Sequence, residues 1–220
     1  MSAIQIRSIA TDGLAALSTV KVNNLSTAFV SSLTTGQIAS FTTEQISAVT
    51  TAAISVLSSA QIVGLTSDQM SKLTTGQIAA LATNMIRFIE TTDLAQLTSD
   101  QVVALSTTQI QSLSTAGLAA LSVTKVGNLS TGFVAALTSV QIAALTTDQI
   151  SSVSTSAVAA LSSGQVANLS SAQISKMTTG QIAALATNMI RFVETIDIQQ
   201  LTTDQIVALT TTQMQHLTTG

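Results

Sequence analysis

The sequence contains no cysteine, proline, tryptophan or tyrosine, and very little charge. Each absence excludes something. Without cysteine there can be no disulfide, thiolate metal site or thiol nucleophile. Charged residues make up 8% of the chain, against about 25% in ordinary soluble domains. No basic cluster exists, and the net charge is −3. The electrostatic footprint that nucleic acid or an anionic membrane requires is therefore missing. No apolar run approaches the ~20 residues of a membrane-spanning helix, because Ser/Thr pairs interrupt nearly every eight residues. Met1–Arg7 lacks the basic and apolar regions of a secretory signal. Disorder is excluded from the other direction, since 46% of the residues are apolar and disordered chains are apolar-poor and charge-rich.

What is present is a strict period of eight. Stepping by eight from Met1 gives Ile9, Leu17, Leu25, Leu33, Phe41, Val49 and so on to Leu209 and Leu217, large and apolar at every step. The sixth position is apolar throughout, from Ile6 and Leu14 to Ile206 and Met214. The unit reads L-[ST]-[ST]-x-Q-[IV]-A-A, as in Leu137–Ala144. We number octads from Met1 and positions from 1 to 8. A single continuous helix cannot carry this pattern: at about 100° per residue, eight residues overshoot two turns by roughly 80°, and the apolar stripe would spiral around the rod.

The octad instead carries a helix-start signal. Ser or Thr at position 2 with Gln three residues later is a capping box, and the apolar residues at positions 1 and 6 are the two halves of a hydrophobic staple. This predicts a short helix over positions 3 to 8, restarted in each octad. Charge agrees: all ten acidic residues sit at positions 2, 4 or 5, while Arg7, Lys72, Arg87, Lys176 and Arg191 sit at positions 7 or 8. Acid near a helix start and base near its end is the order the macrodipole favours. The expected fold class is all-α, a solenoid of very short helices. A β-solenoid is the alternative, against which the Ala and Gln at positions 5, 7 and 8 argue. One octad buries a Leu and an Ile, about 1.5–3 kcal/mol each, while ordering eight residues costs about 1–2 kcal/mol apiece. Only stacking makes the array stable. Small residues such as Ala143, Ala144, Ala159 and Ala160 are expected to let helices approach closely.

A longer period overlies the short one. TTGQIAALATNMIRF occurs at 74–88 and again at 178–192, thirteen octads apart. Lys21 matches Lys125, Phe29 matches Phe133 and Asp93 matches Asp197. The expected organisation is a single solenoid over 1–220, made of two thirteen-octad blocks, 9–112 and 113–216, with a partial octad at 217–220. Three superhelical turns of 4.33 octads would return the second block to the same side. The partial octad is a helix start that either a longer chain or another subunit would complete.

The most deviant octads are LATNMIRF and IETTDLAQ at 81–96, and their twins at 185–200. Ala82 and Ala186 replace the cap, Met85 and Met189 replace Gln, and bulky or charged residues enter. Either Phe88 fills a gap and Arg87 pairs with Glu90 or Asp93, or Arg87, Phe88, Glu90, Asp93, Arg191, Phe192, Glu194 and Asp197 form a repeated contact patch for another chain. No catalytic, cofactor or metal residues are expected. The single histidine, His216, has no Ser–Asp arrangement beside it, and no oxygen cluster like a calcium loop exists.

Leu97–Leu105, LTSDQVVAL, resembles the start of a TAL-effector repeat over nine residues. The 34-residue period, base-reading loop and basic character of that family are absent, so DNA binding is not implied. Across the whole chain, the LTxxQIAAL octads look like segments of very large bacterial surface or type I-secreted proteins related to RTX adhesins. That resemblance implies an extracellular or cell-surface location; the Gly-rich calcium repeats of RTX proteins are missing. The functional expectation is a non-enzymatic structural protein: a rigid scaffold, a spacer, or a self-assembling filament or surface subunit that associates with itself. The alternative is an adhesive surface of Ser/Thr rows for glycans, a mineral or ice.

Overall fold

The computed structural model describes residues 2–187, 189–193 and 195–217, with the side chains of Thr195 and Ile196 left aside. Among these residues there are helices and no strand, so the β-solenoid is excluded. The predicted restart is what occurs. Helices such as Thr35–Ala39, Thr43–Ala48 and Thr75–Ala80 run from position 3 to position 7 or 8. Each begins after an extended residue at position 2, whose hydroxyl accepts the backbone N–H of position 5. Where the helix runs to position 8, the residue at position 1 of the next octad is extended too, as at Leu73 and Val49. The corner then consists of two extended residues. That is why it needs neither Pro nor a left-handed Gly, and no described residue has positive φ.

The chain divides into two compact units, Met1–Leu113 and Ser114–Gly220. In the first, helices three octads apart pack on one another: Thr19–Asn23 on Thr43–Ala48, that on Ser67–Lys72, and that on Thr91–Gln96. In the second, Val123–Gly127, Thr147–Ser152, Ser171–Lys176 and Thr195–Gln199 form the equivalent column. The core of each unit is the apolar residues of positions 1 and 6, such as Leu57, Ile62, Leu65 and Met70, or Leu137, Ile142, Leu145 and Ile150.

Two expectations need correcting. Side-chain bonds between turns span 25 to 31 residues, from Thr83–Thr108 to Gln45–Leu14. A turn therefore holds between three and four octads, and 4.33 is too many. Nor do the alanines at positions 7 and 8 form a general seam: Ala143, Ala159 and Ala160 are exposed and Ala144 is half-buried. Close approach at position 8 is seen at Gly64, where an added Cβ would lie 2.9 Å from Thr35 Cβ.

Candidate functional site

The repeated polar feature of this protein is buried, and it is the glutamine at position 5. In octad 10, Thr74 Oγ1 accepts the Gln77 N–H at 3.2 Å, and Gln77 Oε1 accepts the Thr74 N–H at 2.8 Å. That is the predicted box. The amide nitrogen does something further: Gln77 Nε2 donates to the carbonyls of Ile46 at 2.9 Å and Val49 at 2.6 Å, with Ser47 at 3.2 Å. These carbonyls lie where a helix one turn earlier ends; the Ile46 carbonyl also accepts the Val49 N–H at 3.2 Å, so the amide is its second donor. One side chain thus closes the start of its own helix and the end of another. Gln45, Gln69, Gln101, Gln149, Gln173, Gln181, Gln205 and Gln213 repeat the arrangement 28 to 31 residues back. These glutamines are only 1–3% exposed. Among the described residues, no buried side-chain nitrogen or oxygen lacks a partner.

This second role explains a choice that a capping box alone leaves open. Glu and Gln both serve at that position of the box, yet the fifth position is Gln in fifteen octads and Glu in none. A carboxylate would present oxygen to carbonyl oxygen with no donor between them. Where Gln is absent, the substitutes recur: from octad 2 the fifth positions read G-K-F-Q-Q-A-Q-Q-Q-M-D-Q-Q, and from octad 15 they read the same thirteen letters.

Two of those substitutes make the rewritten octads. Ala82 and Met85 remove both halves of the box, and Thr83–Phe88 tightens into a 3-10 helix, with Met85 N–H bonded to the Ala82 carbonyl at 2.8 Å. Ile190–Phe192 is likewise 3-10, with Met189 bonded to Ala186 at 2.7 Å. Short i→i+3 pieces of this kind arise where the α-helical pattern is strained or uncapped. The helix of the next octad, Thr91–Gln96, has Glu90 at its N-cap, whose side chain makes no cap bond. Asp93, buried in place of Gln, accepts the Ser67 hydroxyl of octad 9 at 2.5 Å; Asp197 accepts Ser171 at the same distance.

The suggested patch is therefore only partly assembled. Arg87 and Phe88 do come together: the exposed guanidinium lies over the half-buried ring, 5.0 Å from its centroid, and Arg191 lies 4.9 Å over Phe192. Among the described residues Arg87 makes no ion pair with Glu90 or Asp93. Glu90 is exposed, and Asp93 is turned inward to Ser67. Glu194 lies outside the described residues. His216 is exposed, with Nδ1 2.8 Å from the Thr212 carbonyl of its own helix. The described residues hold no cluster of three or more potential metal ligands, and no described helix is long and apolar enough to cross a membrane.

A family model describing the ALTTAQ repeat matches residues 6–43, 42–75, 52–83, 70–107, 86–123, 155–187 and 190–219. These windows cover most of the chain, which therefore belongs to the ALTTAQ repeat family. No curated protein matches it.

Proposed function

We propose that this ALTTAQ repeat protein works as a rigid scaffold or spacer, non-enzymatic and able to build larger assemblies from copies of itself. The observation that carries the proposal is the buried glutamine. Each such octad relies on the carbonyls of an earlier turn to satisfy its own side chain, so octads are fixed to neighbours across turns as well as along the chain. Repeat arrays owe their stability to such nearest-neighbour interfaces, and here the interface is both apolar and hydrogen-bonded. The exposed faces offer mainly Ser, Thr and Ala, with little charge to hold a charged ligand. A surface or extracellular location is proposed with it, from the likeness to octad arrays of secreted proteins.

The adhesive alternative is weaker for a specific reason. Position-2 hydroxyls, half of the Ser/Thr rows, are used in helix caps at Thr34, Thr42, Ser58, Thr66 and their equivalents. Stretching single molecules by force spectroscopy tests the scaffold. A spacer resists, then lengthens in steps of several octads; the smooth entropic elasticity of an unstructured chain would sink the reading.

A further inference from the structure

We infer that the first unit carries a built-in seam beneath octads 11 and 12, a line along which these octads part from the turn before them while the rest of the unit stays folded. The inference deepens the scaffold proposal and rests on it: the seam is where a spacer under tension yields first.

The glutamine bridges show where the seam runs. Gln61, Gln69 and Gln77, in octads 8, 9 and 10, each donate to carbonyls 28 and 31 residues earlier. Gln101 and Gln109, in octads 13 and 14, do the same to Met70 and Leu73 and to Ile78 and Leu81. By that register octads 11 and 12 face the corners at Ile54–Leu57 and Ile62–Leu65. Met85 and Asp93 stand at their fifth positions, and neither side chain carries an amide N–H. The Ile54 and Ile62 carbonyls keep the bond within their own corner, from the Leu57 and Leu65 N–H groups at 3.2 Å each. No amide joins them from the next turn. Ala53 leaves one such gap in octad 7, but Gln45 and Gln61 bridge on either side of it. Under octads 11 and 12 two gaps follow one another, and in a turn of three to four octads that is half the rim or more.

What remains across the seam is mostly apolar. Ser59–Val63 packs on Thr83–Phe88 and Ser67–Lys72 on Thr91–Gln96. Leu57, Ile62 and Leu65 on one side and Ile86, Ile89 and Leu94 on the other are all buried. Such contact is non-directional. The bond from Ser67 to Asp93 is the polar tie. The helices above the seam also start without a side-chain cap, at Ala82 and at Glu90. Opening here therefore gives up fewer hydrogen bonds than opening at octads 8, 9 or 10. Local opening is drawn from such regions, and in a repeat array each interface yields according to its own strength. The bridges from Gln77 and Gln101 on either side limit how far the opening spreads. The second unit repeats the loss of the amide at Met189 and the 3-10 turn at Ile190–Phe192.

Hydrogen exchange of the 220-residue chain, read peptide by peptide by mass spectrometry, tests the seam. Helices this short lose protection once unpacked, so the amides of octads 11 and 12 should exchange about tenfold faster than those of octads 8 to 10. Two variants separate the bridge from the cap. Ala82→Thr supplies a cap alone, while Ala82→Thr with Met85→Gln adds an amide facing the Ile54 and Leu57 carbonyls. The double variant should slow exchange in octad 11 about tenfold beyond the single one. Exchange in octads 11 and 12 as slow as in octads 8 to 10, or two variants that behave alike, would overturn the seam. Even exchange in a chain that still resists stretching leaves the scaffold standing without it. A chain with no protected octad takes the scaffold down as well.

Discussion

Octads 10 and 11 are neighbours built to different rules. In Leu73–Ala80 the cap, the box and the bridge to Ile46 and Val49 are all present, and the helix is α. In Leu81–Phe88 the cap is Ala82, the amide is Met85, and the turn is 3-10. Yet Ile78 and Ile86 are both 0% exposed. The apolar layer runs through the rewritten octads without a break, while the polar layer stops. Two jobs that a regular octad merges are thereby separated: positions 1 and 6 hold the octad in the stack, and position 5 decides whether its helix is fully bonded to the turn before.

The change that should break this comparison most severely is Gln77→Glu. It keeps the cap acceptor but replaces the donor to Ile46 and Val49 with a buried charge. Uncompensated buried charges cost about 3–5 kcal/mol. The sign with pH distinguishes this from simple misfit. Burial against carbonyl oxygens raises the folded-state pKa above the unfolded one. The loss should then be full at neutral pH and shrink as pH falls and the acid is protonated, regaining a donor. Urea unfolding across the acid range reads it, and a loss independent of pH would contradict the donor role. Gln77→Leu should lack that pH dependence altogether.

Ile78→Ala and Ile86→Ala come next, and here the two octads should behave alike. Removing most of a fully buried isoleucine costs about 2–5 kcal/mol. If the 3-10 octad proves much more tolerant by the same denaturant measurement, the apolar layer is not continuous in the sense described.

Converting octad 12 to the regular pattern should sharpen the contrast with the opposite sign. Glu90→Thr with Asp93→Gln supplies a cap, worth about 1 kcal/mol, and an amide facing the turn that ends at Ile62 and Leu65. It also removes the Asp93 bond from Ser67. The pair together should stabilise by ~1 kcal/mol, and Asp93→Gln alone by less. Destabilisation by the double change would mean that the buried aspartate contributes more than the bridge it displaces.

How much of this was legible follows from how far apart the partners lie. The period, the capping box and the staple connect residues three to eight apart, and a reader of Leu73–Ala80 alone can find them. The amide-to-carbonyl bridge connects residues 28 to 31 apart, and nothing in one octad states how many octads make a turn. Its trace was nevertheless present, in the choice of Gln over Glu at position 5. The rewritten octads stood out as unusual, but the role of Asp93 depends on Ser67, 26 residues earlier. Pairing Arg87 with Glu90 or Asp93 is one of the two readings the sequence leaves open; its position over Phe88 follows from a backbone path that 3-10 geometry sets.

The smallest expected effect lies in a regular octad and concerns charge alone. Glu44, fully exposed in the first turn of Thr43–Ala48, has its carboxyl held below the ordinary value of 4.5. The main cause is a backbone hydrogen bond at Glu44 itself, followed by the hydroxyls of Thr42 and Thr43, with the Lys72 charge a minor help and burial slightly opposing. A depressed folded-state pKa contributes stability above the unfolded value and loses it as pH falls through the folded one. Glu44→Gln should therefore lower the melting temperature slightly at about pH 7 and not at all at about pH 2. Solvent screens an exposed charge heavily, so the shift at neutral pH should be far smaller than for any change above, and added salt should reduce it further. An effect rivalling Gln77→Leu would mean that surface charge, and not the buried amide, sets how firmly an octad is held.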